Sequence, residues 1–125
     1  MFHGAFGAAP LTPDTEGLIS AKMIAAMKPT GVFVNVGRGA VVDEKALTVA
    51  LQEKKIRGAA LDVFETEPLP KESPLWGLDN VLISPHSADH TATWLNDAME
   101  LFLENFDRFV QGHPLKNVVD KAAGY

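Results

Sequence analysis

Val32-Phe-Val-Asn-Val-Gly-Arg-Gly-Ala-Val-Val-Asp43 decides the fold of this chain. Its opening residues, Val32 to Val36, form a short continuous β-branched run, the pattern of a strand buried on both faces of a parallel sheet. Gly37-Arg38-Gly39 interrupts that run. Asp43 can then cap a helix with Ala46, Leu47, Ala50 and Leu51 on its inner side. Strand, tight turn and helix are the start of a βαβ unit, and the same alternation continues outward. Upstream, Ser20 can cap a helix whose apolar residues Met23, Ile24 and Met27 recur every three to four positions until Pro29 and Gly31 stop it. Ala5 to Ala9 is the only stretch before Leu11 that could belong to one more strand.

Downstream, Arg57 to Val63 reads as the next strand, and a Pro-rich loop from Glu67 to Pro74 leads to a third buried strand, Asn80 to Ser84, which Pro85 ends. From about Thr91 to Val110 a long helix carries Leu95, Ala98, Met99, Phe102, Phe106 and Phe109 on one stripe. Strands separated by helices of this length make parallel βαβ units, so the class is α/β with a doubly wound sheet. The Pro-rich loop follows a strand's carboxyl end, where open α/β sheets bind ligands.

Composition narrows the function classes. The 125 residues suffice for one core and predict a single domain. Apolar residues at 46% and charged residues at 22% argue against disorder. A net charge of −5 without a dense Lys/Arg cluster gives no electrostatic footprint for nucleic acid or anionic lipid. With no cysteine, disulfides and thiolate metal sites are excluded. His86 and His90 are four apart but follow a proline in a loop, so no metal is expected. The first nine residues lack the basic region and longer apolar run of a signal peptide, and no stretch reaches membrane-spanning length; a cytoplasmic protein is the expectation.

Three residues at loop positions carry the candidate chemistry. Gly37-Arg38-Gly39 follows a strand as a dinucleotide fingerprint would, but Val42 replaces the third glycine, and Asp43 would set an anion where a pyrophosphate must bind. The stretch is otherwise a plain tight turn, or a turn whose glycines let a ligand approach an Arg38 guanidinium that grips a carboxylate with two parallel hydrogen bonds. His86, after a buried strand and behind Pro85, is a structural histidine or a proton donor. Its place at the carboxyl edge with Arg38 and Asp62 favours the donor. Glu67 is a solvated loop acid, rivalled by Glu65, or the carboxylate that favours a protonated imidazole. Asp62 serves a cofactor or caps a turn.

At these residues the chain resembles the D-isomer-specific 2-hydroxyacid dehydrogenases, specifically the C-terminal part of their NAD(P)-binding domain. The similarity runs through Leu11-Thr-Pro-Asp-Thr15, Asn35-Val-Gly-Arg-Gly-Ala-Val-Val-Asp43, Ala60-Leu-Asp-Val-Phe-Glu-Thr-Glu-Pro68 and Pro85-His86. The resemblance implies a partial Rossmann-type doubly wound sheet. In it Arg38 holds the carboxylate of a small 2-keto acid of the glyoxylate or hydroxypyruvate kind, His86 gives or takes the proton, and Glu67 supports His86. NAD or NADP would lie with its nicotinamide near Asp62, Val36, Gly37, Arg38, His86 and Ala88, and its adenosine side along Pro10, Leu11 and Thr12. The family's Gly-rich loop and substrate domain have no counterpart in the chain. The expectation is one truncated domain over residues 1–125, with residues 1–9 foreign to the family or a strand remnant. It would be an oxidoreductase incomplete by itself, or a non-catalytic remnant acting as a dimerisation module through its open sheet edge.

Overall fold

The computed structural model describes residues 2–123. The chain divides between Ser87 and Ala88 into two compact units. In the first, β1 (Phe2–Gly7), α1 (Ala21–Ala25), β2 (Met27–Asn35), α2 (Glu44–Gln52), β3 (Gly58–Leu61) and β4 (Val81–Ile83) follow one another. The four strands are all parallel and lie in chain order, β1-β2-β3-β4. Sequential order with right-handed crossovers puts the connecting helices on one face, and α1 indeed packs beside α2.

The residues dictate which face is covered. Phe33 on β2 and Leu61 on β3 point into a core with Ile24 of α1 and Leu47 and Leu51 of α2. Ile56 and Leu75, from the segments flanking β3 and β4, complete it. Asp43 caps α2 as expected, its Oδ1 accepting from the Ala46 N–H at 2.9 Å. The opposite face carries the register row Phe6, Val34, Ala60, Leu82, of which Phe6 and Leu82 are exposed, as is Val32 one row away.

Several expectations are corrected. β2 and β4 are not buried on both faces: away from the core, Val32 on β2 and Leu82 on β4 are exposed. The first helix stops at Ala25 instead of running to Pro29, and Ser20 at its cap position makes no side-chain bond. Met27 is buried, but in β2. The proline explains this: it disfavours helical geometry for Lys28. Pro29 itself lies where the β1–β2 register shifts, so its missing N–H breaks no regular ladder. The N-terminal strand is Phe2–Gly7, not Ala5 to Ala9, and pairs with β2 through Gly4, Ala5, Phe6 and Gly7.

The second unit holds α3 (Trp94–Val110), shorter at its start than the expected Thr91 to Val110. Its tail folds back on it: the Asn105 side chain accepts from Lys116 N–H at 2.8 Å and donates to Lys116 C=O at 3.2 Å, and Arg108 Nε donates to Pro114 C=O at 2.6 Å. The apolar stripe Leu95, Met99, Phe102, Phe106 and Phe109 is exposed. No helix among the described residues is long and apolar enough to cross a membrane.

Candidate active site

Parallel strands aim their carboxyl ends the same way, so the residues that follow them gather along one edge of the sheet. Pro10 to Thr12 follow β1, Val36 to Arg38 follow β2, Asp62 follows β3 and His86 follows β4. Val36 N–H donates to Gly7 C=O at 2.9 Å and Asp62 N–H to Asn35 C=O at 3.0 Å, which locks the ends of β1, β2 and β3 side by side. Ala88 belongs to the second unit.

Glu67 and His86 meet directly, His86 Nδ1 lying 2.7 Å from Glu67 Oε2. The other carboxylate oxygen, Oε1, accepts from the Phe64 N–H at 3.0 Å, so the acid is held by backbone as well as by the ring. Burial pushes the Glu67 carboxyl upward; hydrogen bonds from His86 and Phe64 and the charges of His86 and Arg38 outweigh it, leaving the group below its ordinary value. An ionised carboxylate only accepts hydrogen bonds. His86 Nδ1 is therefore the donor, and Nε2 is the nitrogen left to exchange a proton with a ligand.

Two buried polar residues among those described brace these loops. Asp62 Oδ1 accepts from Ser84 Oγ at 2.5 Å and from the Ser87 N–H at 2.9 Å. Those bonds straddle His86, whose φ of +52° is left-handed, a conformation that costs roughly 1–3 kcal/mol and persists only where neighbours over-determine it. Asn35 does the same for Arg38: its Oδ1 accepts from the Gly37 N–H at 3.1 Å and its Nδ2 donates to the Arg38 C=O at 3.2 Å. Sequence reasoning missed Asn35 and Ser84 as bracing residues. The available signal was a carboxamide within the apolar run Val32 to Val36.

Arg38 is exposed, with extended backbone, and Nη1 donates to Gly37 C=O at 2.8 Å. Glu65 instead uses its backbone N–H to bind Glu44 at 2.8 Å, and no bond links its side chain to His86. After β1, Thr15 Oγ1 accepts from Thr12 N–H at 2.8 Å and donates to Pro10 C=O at 2.6 Å, which fixes that loop and leaves Pro10 and Leu11 exposed. A cleft of about 590 Å³ opens beside the Glu67–His86 pair, walled by Phe64, Leu69, Trp76 and Ile83. Among the described residues no group of three or more His, Asp or Glu could hold a metal ion.

Open parallel α/β sheets bind ligands in the crevice outside their strands' carboxyl ends, the edge along which Arg38, Glu67 and His86 gather here. Comparison with known proteins is specific. Residues 6–88 match the family profile described as D-isomer specific 2-hydroxyacid dehydrogenase, NAD binding domain. The chain belongs to that family. It is 44% identical over 111 residues to a glyoxylate/hydroxypyruvate reductase B of Pectobacterium carotovorum, covering 89% of this chain and 35% of the relative. It is 46% identical over 111 residues to a D-3-phosphoglycerate dehydrogenase of Methanocaldococcus jannaschii, covering 89% and 21%. A crystal structure of a D-isomer specific 2-hydroxyacid dehydrogenase from Xanthobacter autotrophicus, in complex with NADPH and MES, superposes with a TM-score of 0.88 at 45% identity, covering 98% of this chain and 50% of that one. An NADPH-dependent glyoxylate/hydroxypyruvate reductase from Sinorhizobium meliloti with NADP and sulfate gives 0.88 at 38% identity, covering 98% and 40%. The chain spans about a third of the length of the reductase it matches. The partial Rossmann-type sheet expected from sequence is thereby established.

Proposed function

We propose that residues 1–125 form part of one NAD(P)-binding domain of a cytoplasmic oxidoreductase that reduces a small 2-keto acid of the glyoxylate or hydroxypyruvate kind to its 2-hydroxy acid. The observation that carries this reading is the 2.7 Å Glu67–His86 pair at the same sheet edge as Arg38. Arg38 binds the carboxylate of the keto acid and polarises its carbonyl. His86, protonated and with Nδ1 held by Glu67, donates its Nε2 proton to the alkoxide oxygen as the carbonyl is reduced. In the reverse direction Nε2 takes the proton from the hydroxyl.

NADH or NADPH supplies the hydride when bound. Asp62, His86 and the Val36–Arg38 backbone, which lie along one edge, would hold its nicotinamide end, and Pro10, Leu11 and Thr12, after β1, would lie along its adenosine side. No Gly-x-Gly-x-x-Gly occurs in the 125 residues, and the helix after Gly39 has its N-terminus filled by the Asp43 carboxylate.

Titration of the purified chain with NADH and with NADPH, in the presence of glyoxylate or hydroxypyruvate, tests this. Saturable nicotinamide fluorescence changes with oxidation support it; a folded sample that neither binds nor oxidises either cofactor overturns catalysis by this chain. The second reading, a non-catalytic module that forms a homodimer, is favoured by the exposed sheet-face residues Phe6 and Leu82. A monomer by sedimentation at micromolar concentration would remove it.

A further inference from the structure

We propose that Asn35 is a positioning residue: its buried carboxamide fixes the turn that carries Arg38, and so sets where the guanidinium can meet a carboxylate. This rests on the reading of Arg38 as the substrate anchor. Asn35 is 2% exposed, at the carboxyl end of β2 on the row Gly7, Asn35, Leu61, Ile83 that faces the helices. An apolar residue would suit that row. A carboxamide there must satisfy both its donor and its acceptor or bear the cost of burying them unpaired.

It satisfies both on one turn. Oδ1 takes the Gly37 N–H at 3.1 Å and Nδ2 gives to the Arg38 C=O at 3.2 Å, so a single side chain brackets the Gly37–Arg38 dipeptide. The Arg38 side chain then closes on the same turn, with Nη1 on Gly37 C=O. Across the sheet, β1 leaves room for the carboxamide: a Cβ added at Gly7 would lie 2.8 Å from Asn35 Oδ1. The backbone of Asn35 also accepts from Asp62 N–H at 3.0 Å, tying the Arg38 turn to the strand whose end braces the His86 loop. The Asn carboxamide sets an uncharged donor and an uncharged acceptor on two atoms of one short planar group, as bracketing both the Gly37 N–H and the Arg38 C=O requires, and Gln is one carbon too long for this reach.

The isosteric change Asn35→Asp separates positioning from bulk stability. When ionised, the introduced carboxylate sets lone pairs against the Arg38 carbonyl, and that repulsion opens the turn that presents the Gly37 N–H; when protonated, it regains a donor and reproduces the amide pattern. Burial raises the pKa of such an acid. Two readouts are recorded on the intact chain: hydrogen exchange of the Gly37 amide, and binding of oxamate, a non-reacting 2-oxo carboxylate, followed by the Arg38 Nε–H resonance. Asn35→Leu is expected to speed Gly37 exchange at least tenfold while Phe33 keeps its protection, and to weaken oxamate at least tenfold. Asn35→Asp is expected to match Asn35→Leu at neutral pH and to recover Gly37 protection on acidification, while wild type shows no such recovery.

Unchanged Gly37 exchange in Asn35→Leu, or Asn35→Asp with no recovery in acid, overturns the proposal. So does loosening spread evenly over β2. If Arg38→Ala leaves oxamate affinity unchanged, the anchoring reading falls, and Gly37 exchange still decides whether Asn35 holds the turn. Should Asn35→Leu fail to fold, Asn35→Asp and its pH profile carry the test.

Discussion

Replacing Gly39 by alanine probes the contact on which the geometry of Arg38 and Glu67 depends. Gly39 is buried against the chain that leads to Glu67, and a Cβ there would lie 1.8 Å from the Phe64 carbonyl carbon, 1.9 Å from its oxygen and 2.3 Å from Glu65 N. All three atoms are backbone, so no side chain can swing aside. Ordinary contact begins at 3.4 Å, so the two loops must part by roughly 1.6 Å, in an interior close-packed enough to transmit the strain. Overpacking of this kind costs about 1–3 kcal/mol and occasionally more; with backbone on both sides, about 3 kcal/mol is expected. At a urea slope of about 2 kcal/mol/M, the unfolding midpoint should fall by about 1.5 M. Two-dimensional NMR of any folded Gly39→Ala should show the largest shifts at Phe64 and Glu67, because the Phe64 N–H is the donor to Glu67. A midpoint within about 0.3 M of wild type would refute the packing of the Arg38 turn on the Glu67 loop.

Glu67 sets an acid limit. Its folded pKa is lowered, so its ionised form stabilises the fold above the unfolded value, and that contribution is lost as pH falls through the lowered folded value. Urea midpoints of wild type should therefore drop at and below the usual carboxylate range, and Glu67→Gln should flatten that limb; parallel curves would show that the pair adds nothing. Asp62→Ala strips the acceptor from Ser84 Oγ and the Ser87 N–H, with an expected loss of about 1–3 kcal/mol. An unfolding midpoint unchanged by that substitution would count against the brace on the His86 loop. If reduction is observed, Arg38→Lys, which cannot grip a carboxylate with two coplanar N–H groups, should raise KM for the keto acid by about tenfold or more. His86→Gln should lower turnover about 10²-fold or more; steady-state rates across neutral pH decide both.

The sequence made some of this structure legible because the signals were local. Asp43 capped α2 because the cap bond spans three residues, and Leu47 and Leu51 faced inward because a helix repeats its face every turn. β1 was misplaced because Phe2 to Gly7 has almost no β-branched character; its pairing is supplied by β2, twenty-five residues further along. Met27 was given to a helix by its spacing from Met23 and Ile24, while Pro29 and the ladder with β1 decided otherwise. The apolar runs of β2 and β4 suggested burial on both faces, and the periodicity of a strand cannot say how many of its faces find a partner. Among the candidate chemistry, Glu67 and His86 could be paired by their types and positions. Asn35 could not be, since its two bonds close within three residues and leave no pattern beyond one polar letter in the apolar run Val32 to Val36.

That Arg38, Glu67 and His86 assemble within one compact unit follows from strand order. In a parallel sheet whose strands lie in sequence, each carboxyl end sits about 4.8 Å from the next, so residues following β2, β3 and β4 are neighbours without any long-range pairing. Two polar side chains then convert proximity into geometry. Asn35, at the end of β2, fixes the turn of Arg38; Asp62, just after β3, fixes the loop of His86 from the neighbouring strand; and the Asp62 N–H to Asn35 C=O bond joins the two supports. Glu67 is held through Phe64 N–H, and Gly39 packs on the backbone of Phe64 and Glu65. The loops of Arg38 and His86 are thus braced by side chains at strand ends and Glu67 by loop backbone, so a single change at Asn35, Gly39 or Asp62 should disturb the arrangement while leaving the Arg38, Glu67 and His86 side chains in place. The Glu67–His86 pair and Arg38 need only β2 to β4 and their loops, whereas a dinucleotide's diphosphate needs a glycine-rich loop absent from these 125 residues. If Arg38 anchors a 2-oxo carboxylate as proposed, that binding does not depend on a diphosphate site, and oxamate should perturb Arg38 even where NADPH produces no response.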